Sequence, residues 1–443
     1  MNKKFMKEKP ILPLVLSMAL PMVISMAVNS LYNIVDSFFI AKISENAMTS
    51  LSLVYPLQNL MTAIAVGFGI GINARIAYCL GAGDQKRANQ AATTGMLLSL
   101  IHGAIVMVIC LVYVPHFLSL YTQDKEIIDL GLIYAHRVFI FSIINMLGIS
   151  LEKIFQSVGR MKVSMCSMMS GFITNIILDQ LMIFGIGVFP EMGMAGAAYA
   201  TGIGQTVTLL VYLLFCKFRP LPLSFTKENI SFQWDLLRKL YAVGIPASLN
   251  MALPSLMISV LNRILTSFSE MYVLVLGVYY KLQTFIYLSA NGIIQGIRPL
   301  MSYNYGAKEN KRVQKIFLTT LCLTASVMIV GVFLSMLIPR QMIALFTENT
   351  QTIQIGVNAL TIICKGFIIS ALSITCCGAL EALGKGIASL IISLLRYVIV
   401  MIPAAFILSS VLGADGVFWA FPLTETVAAI AAIILYRMNV NSI

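Results

Sequence analysis

Charge is what this sequence has least of. Of its 443 residues only 11% are Asp, Glu, Lys or Arg, against about a quarter in an ordinary soluble domain. That shortage excludes a water-facing surface for most of the chain, and with 59% hydrophobic residues it makes lipid the solvent. Histidine is scarce too. His102, His116 and His136 are scattered without ligand spacing, and none of the 8 cysteines forms a CxxC pair. A structural zinc or cluster site is therefore not expected, and the cysteines read as small hydrophobes. Period-two alternation is missing from the long apolar runs, such as 101–114 and 318–338. Its absence excludes a membrane barrel and leaves helices as the only way to satisfy the backbone in hydrocarbon. The segment Gly67–Gly71 is glycine-rich but has no preceding strand and no following Lys-Ser/Thr. It reads as a helix-packing surface, not a phosphate loop, and nothing in the chain resembles a nucleotide-binding domain that could drive a process with ATP.

What remains is about twelve windows of about 20 apolar residues. They fall at 12–40, 50–78, 92–114, 129–150, 162–185, 193–216, 239–265, 271–298, 316–338, 355–378, 387–409 and 413–437. The basic start, Met1–Pro10, runs into a full-length span, so no removable signal peptide is expected. The net charge of +12 reads as loop asymmetry and not as a nucleic-acid surface. Lys3, Lys4, Lys7, Lys86, Arg87, Lys217, Arg238, Lys311 and Arg312 fall in one set of loops, while the alternate set holds only Lys42, Lys125 and Arg340. The positive-inside rule then places both termini in the cytoplasm.

The chain also repeats itself. At an offset of about 225 residues, Gly71-Ile72 returns as Gly296-Ile297, Gly81-Ala82 as Gly306-Ala307, and Lys86-Arg87 as Lys311-Arg312. Near the end the offset shortens to about 220, so that Gly193 and Gly196 match Gly413 and Gly416, and Gln205 matches Glu425. Six spans per copy make the repeat parallel, with its axis along the membrane normal, an arrangement found in transporters. The expected organisation is an N-lobe over 1–216, a cytoplasmic linker over 217–238 containing Pro220 and Pro222, and a C-lobe over 239–443.

Carboxylates within spans cost about 2.5–3.5 kcal/mol at the bilayer centre and are functional candidates for that reason. Asp36 ends a helical stripe with Asn29, Tyr32 and Asn33; Asp179 follows Asn175 by one turn; Thr201 sits in a small-residue span. Their oxygens suit a hard monovalent cation or a proton, and the alternative is that each Asp merely accepts hydrogen bonds from neighbouring helices. Glu425 lies near mid-span after Pro422. Glu152 and Glu381 lie near span ends and are expected to snorkel to the interface. Arg396 and Arg137 could pair with carboxylates or reach an interface. Prolines inside spans, Pro21 and Pro246 among them, permit kinks.

The loops Gly81-Ala82-Gly83-Asp84 and Gly306-Ala307-Lys308-Glu309, each followed by a Lys-Arg pair, and the segment Arg298–Ala307 (RPLMSYNYGA) resemble the multidrug and toxic compound extrusion (MATE) family, in its DinF/MepA-like bacterial branch. The resemblance covers nearly the whole chain. It implies an all-α integral membrane fold of two six-helix lobes and a secondary exporter of the bacterial cytoplasmic membrane, not an enzyme. The exporter would be driven by inward H⁺ or Na⁺ flow and would need no cofactor beyond that ion. Asp36, Asn175, Asp179 and Thr201 match the branch's cation-coupling residues, and Pro21 its bending point. The acidic residues that another branch places in spans 7 and 10 are lacking here, where span 10 carries Lys365. Amphipathic organic cations, drugs and dyes would be the substrates of a monomer embedded in lipid. Tyr32, Gln58, Tyr279, Gln283 and Glu425 are the candidate cavity residues. Two other readings stand beside this one. A flippase for lipid-linked saccharides would carry more cations along its cavity. An intramembrane aspartyl protease would carry Gly-x-Gly-Asp, which Leu178-Asp179-Gln180 does not fit.

Overall fold

A computed structural model describes residues 5–440; Lys3 and Lys4, used above for orientation, lie outside the described residues. Every regular element in that range is helical, as the backbone of a chain surrounded by hydrocarbon requires. Among the described residues, eleven helices are long and apolar enough to cross a membrane, and a pair bent by 49° makes a twelfth if it is one span. The windows read from hydropathy are all present, although most helices extend beyond them.

The chain packs as two compact units, Ile24–Ser248 and, together, Met1–Val23 with Leu249–Ile443. The first contains most of α2 (Ile11–Ala41), all of α3 (Glu45–Gly81), α4 (Gln85–Ser119), α5 (Lys125–Ile140), α6 (Ser142–Ser157), α7 (Met161–Phe184) and α8 (Gly193–Phe218), and the start of α9 (Trp234–Thr266). The second contains α1 (Phe5–Glu8), the start of α2, the rest of α9, α10 (Glu270–Gly306), α11 (Asn310–Leu337), α12 (Pro339–Ala344), α13 (Thr350–Ile363), α14 (Phe367–Ala382), α15 (Gly386–Leu394), α16 (Met401–Leu412) and α17 (Ala414–Val440). Packing boundaries and repeat boundaries therefore differ. The segment 217–238 packs with the first unit, and both unit boundaries fall inside continuous helices.

Glycine explains why. A Cβ on Gly67 would stand 2.6 Å from Ser248 Cα, and one on Gly71 3.2 Å from Gly244 N, so α3 and the start of α9 touch backbone to backbone. In the other unit, a Cβ on Gly292 would stand 2.7 Å from Val23 Cα, and one on Gly296 2.6 Å from Ala19 Cα. These are the same four positions of the repeat. Helix association in lipid lacks a hydrophobic drive and rests on such close approach. Pro21 and Pro246 sit just before the ends of the two glycine-held segments.

Both units also strap a polar segment onto their helices. In the first, Gln85 Nε2 donates to Pro222 O at 2.7 Å, Arg160 Nη2 to Pro220 O at 2.8 Å and the Ser231 amide to Thr94 Oγ1 at 3.0 Å. In the second, Asn304 Nδ2 donates to Met6 O at 3.2 Å, and Lys7 pairs with Glu309 at 2.8 Å. Lys7 holds the exposed Glu309 carboxyl below its ordinary value by hydrogen bonding and charge.

Glu152 and Glu381 do not snorkel. Glu152 accepts from Lys153 Nζ at 2.7 Å and Gln156 Nε2 at 2.7 Å. Glu381 accepts from Arg298 Nη2 at 2.7 Å, Asn250 Nδ2 at 3.0 Å and Ser389 Oγ at 3.2 Å. Both carboxyl groups are buried although they lie near span ends, so proximity to a span end does not fix which way a side chain points. Burial with a partner replaces water here. Large apolar side chains such as Val112, Leu337 and Ile407 remain exposed and face the lipid.

The glycine seams set the first prediction. Gly71→Leu is expected to overpack the α3–α9 contact and cost at least about 1–3 kcal/mol, read as a lower melting temperature and a smaller monodisperse fraction in detergent. Gly277→Ala, where an added Cβ meets nothing within 4 Å, is expected to leave both unchanged. Equal behaviour of the two variants would remove the seam from the account.

Candidate functional site

The unit Ile24–Ser248 brings three helices to one polar spot. Its foundation is the α7–α8 pair, whose small residues permit close approach. A Cβ on Gly204 would stand 2.8 Å from Gly171 O, and one on Gly196 2.6 Å from Met182 O. With the backbones that near, Asn175 and Asp179, one turn apart on α7, reach Thr201 on α8. Asn175 Nδ2 lies 3.4 Å from Asp179 Oδ1 and 3.3 Å from Thr201 Oγ1.

Helix α2 brings the second carboxyl. Its polar stripe divides on folding. Asn33 is exposed and turns its amide back to Asn29 O at 2.8 Å, whereas Asp36 is buried and lies beside Asp179. Asp36, Asn175, Asp179 and Thr201 are all buried, the most exposed at 8%.

Tyrosines close the spot. Tyr32 stacks on Phe172 at 5.3 Å, and its hydroxyl neighbours Thr201. Tyr134 of α5 also neighbours Thr201 and accepts from Gln58 Nε2 at 3.2 Å. Tyr134 was not singled out from the sequence, where one phenol in an apolar span carries no distinguishing signal. The bend between α5 and α6 lies two turns beyond it, at Phe141, whose ring fits against Gly202 of α8.

Three buried oxygens of this cluster have no hydrogen-bond partner: Asp36 Oδ1, Asn175 Oδ1 and Asp179 Oδ2. Gln205 Oε1, one turn beyond Thr201, is another buried acceptor without a partner. Orphaned acceptors in a low-dielectric interior are costly, and several in one place can be relieved by a proton or a cation. The donors are carboxylate, amide and hydroxyl oxygens, the set that suits hard ions. No cluster of three or more His, Cys, Asp or Glu occurs among the described residues.

The other candidates belong to the other unit. Tyr279 is 2% exposed and packs edge-on against Phe421 at 5.3 Å. Gln283 is partly buried. Glu425 is buried against Arg396, which reaches its Oε1 through Nε at 2.7 Å and Nη2 at 2.6 Å. Pairing was one of the two fates open to Arg396, and this is the one realised. Lys365 lies over the Trp419 ring at 4.4 Å.

Fold and site together define a polytopic helical membrane protein with a buried acidic centre in one of two repeat-related bundles. The MatE family model matches residues 21–181 and 246–407, one stretch in each copy of the repeat, and the chain belongs to that family. It is 25% identical to multidrug export protein MepA of Staphylococcus haemolyticus, over 98% of this chain and 95% of that protein. It is 24% identical to MepA of Staphylococcus aureus over 97% and 94%. Among solved structures, an outward-facing multidrug resistance MATE family transporter of the MOP superfamily superposes with a TM-score of 0.92 at 23% identity, covering 99% of this chain and 98% of that one. A MOP superfamily transporter from Pyrococcus furiosus, whose reversed pocket polarity suggests a different function, gives 0.92 at 22% over the same shares. The fold is thus the MATE fold.

Removing one carboxylate from this centre relieves repulsion and desolvation together. Asp179→Asn is expected to melt at the same or a higher temperature than wild type at neutral pH, by about 1 kcal/mol or more if the site is strained. A clear destabilisation would mean that Asp179 is a structural anchor, as the alternative reading holds.

Proposed function

We propose that this protein is a secondary active multidrug exporter, coupled to inward movement of H⁺ or Na⁺ at Asp36, Asn175, Asp179 and Thr201. The observation that carries the reading is the set of three buried, partnerless oxygens drawn from two helices beside a carboxyl–carboxyl contact. The relatives named multidrug export proteins, similar over nearly the whole chain, support the substrate side of it.

The mechanism follows from differential affinity. A cation or proton entering the cluster satisfies the orphaned acceptors and cancels the repulsion between Asp36 and Asp179. It shifts the transporter between states only as far as it binds one state better than the other. Because Asp36 rides on α2 and Asp179 on α7, occupancy changes how α2 sits on its own bundle. Pro21 lacks the amide that would lock the preceding turn, and serves as the bending point of that helix. Alternating access then couples ion entry to release of an amphipathic organic cation, with Tyr32 and Gln58 among the cavity residues. The basic loops orient both termini to the cytoplasm of a bacterial cell, and the monomer suffices for transport.

Proteoliposomes under separately imposed pH and Na⁺ gradients test this reading. One gradient is expected to drive dye efflux, and Asp36→Asn or Asp179→Asn to reduce driven efflux at least tenfold. Efflux at the wild-type rate in both variants would show that the coupling site lies elsewhere. The same ion is expected to raise the melting temperature of the wild-type protein by linkage, worth about 2.7 kcal/mol at a hundred times its dissociation constant. Loss of that shift in Asp36→Asn would localise it.

A further inference from the structure

The repeat makes α7 and α8 equivalent to the stretch from α15 to α17, and Gln205 equivalent to Glu425. At the place where the first unit carries its acidic centre, the second carries the Arg396–Glu425 pair, and two irregular stretches of backbone converge on it. Residues Cys364–Gly366 form a 3₁₀ turn and Leu395–Ile399 a π-helical turn that contains Arg396, while Pro422 lies inside α17 one turn before Glu425. A Cβ on Gly366 would stand 3.3 Å from Glu425 Cγ and 3.1 Å from Pro422 Cα, so the 3₁₀ turn lies directly against the carboxylate. Irregular turns inside membrane helices are maintained where they shape a site.

The pairing geometry is one-sided. An arginine built only to neutralise a carboxylate engages both oxygens with a parallel fork. Here Arg396 Nε and Nη2 both go to Oε1, Nη1 donates to the Tyr397 hydroxyl at 3.4 Å, and Glu425 Oε2 is buried without a partner. The Tyr280 hydroxyl is a second orphan beside the pair. Arg396 lies 5.3 Å from the Tyr397 ring centroid and 6.0 Å from that of Tyr287. The Tyr287 hydroxyl shares a hydrogen bond with Ser370 Oγ at 2.7 Å, leaving its ring face as its offering. Tyr280, Tyr287 and Tyr397 are each only partly buried, so the aromatic ring around the pair is not sealed.

We propose that this cluster is a substrate subsite for a planar organic cation bearing at least one N–H donor, which donates to Glu425 Oε2 while its body lies on the tyrosine rings. Arg396, itself a planar N–H cation on tyrosines, shows the chemistry that the ring accepts. A bare alkali ion is disfavoured, since it would face the guanidinium without water. The free oxygen makes the site a reader of hydrogen-bond donors, and such sites discriminate strongly against analogues that lack the donor. The proposal deepens the exporter reading and rests on it for the name of substrate. It does not rest on ion coupling, because its test measures binding.

The experiment is equilibrium binding, by fluorescence, of two acridinium dyes to the purified full-length protein in detergent. One dye is 3,6-diaminoacridinium, with N–H donors; the other is its fully N-methylated quaternary counterpart, with none. Glu425→Gln is expected to weaken the first at least tenfold and the second less than twofold. Arg396→Gln, by freeing the carboxylate, is expected to strengthen the first. Unchanged binding of both dyes in Glu425→Gln, equal loss of both, or loss of the first dye in Arg396→Gln would overturn the subsite. If Glu425→Gln does not fold, the doubly neutral Arg396→Gln, Glu425→Gln variant replaces it, with the same selective loss expected and wild-type binding of both dyes overturning the proposal. Gly277→Ala, where an added Cβ meets nothing within 4 Å, is expected to bind both dyes within twofold of wild type. Failure of driven efflux with selective dye binding intact would count against the coupling site and not against the subsite.

Discussion

A polar atom buried in lipid has no water to turn to, and this chain is organised around that constraint. It makes every spanning segment a helix, and it makes small residues the means by which helices meet, since oil gives them no reason to associate. It also turns each buried acid into a statement about its neighbours. Glu381 is surrounded by Arg298, Asn250 and Ser389, and Glu152 by Lys153 and Gln156. Those acids are satisfied, Glu152 within its own helix and Glu381 by residues of α9, α10 and α15. Asp36, Asp179 and Glu425 keep an oxygen that nothing in the protein satisfies, and the functional argument rests on that difference.

The repeat shows how one scaffold hosts two chemistries. Gly67 and Gly71 hold the start of α9 as Gly292 and Gly296 hold the start of α2, and each unit straps down a polar segment through hydrogen bonds to main-chain groups. Those features need only small side chains and backbone, so both copies keep them. The centres differ because they need particular donors. Carboxylates, an amide and a hydroxyl gather in one unit, and an arginine–glutamate pair ringed by tyrosines in the other. Fold alone does not choose between such contents, as the Pyrococcus furiosus transporter of reversed pocket polarity also illustrates.

Much of this was legible beforehand, and the failures are instructive. Hydropathy found every span because crossing oil demands length and apolarity, both of which are counted along the chain. It missed the 49° break at Phe141, the 3₁₀ turn at Cys364–Gly366 and the π turn at Leu395–Ile399, since the count is blind to the path of the backbone. The acids stood out by cost, yet cost did not separate the satisfied Glu381 from the unsatisfied Glu425. Position near a span end suggested snorkelling for Glu152 and Glu381, and side-chain direction decided otherwise. Tyr134 gave no signal at all.

The sequence by itself determined that the chain is a helical membrane protein, duplicated, with its expensive carboxylates in known places, because composition and repetition are properties of the chain. Only the tertiary structure decided which of those carboxylates find partners. It joined α7 to α8 through glycines so that Asn175 reaches Thr201, set Asp36 against Asp179, and left Glu425 Oε2 open beside Arg396. Those outcomes depend on distances of a few ångströms between helices far apart in the chain, where hydrogen bonds are won or lost, and no one-dimensional pattern records them.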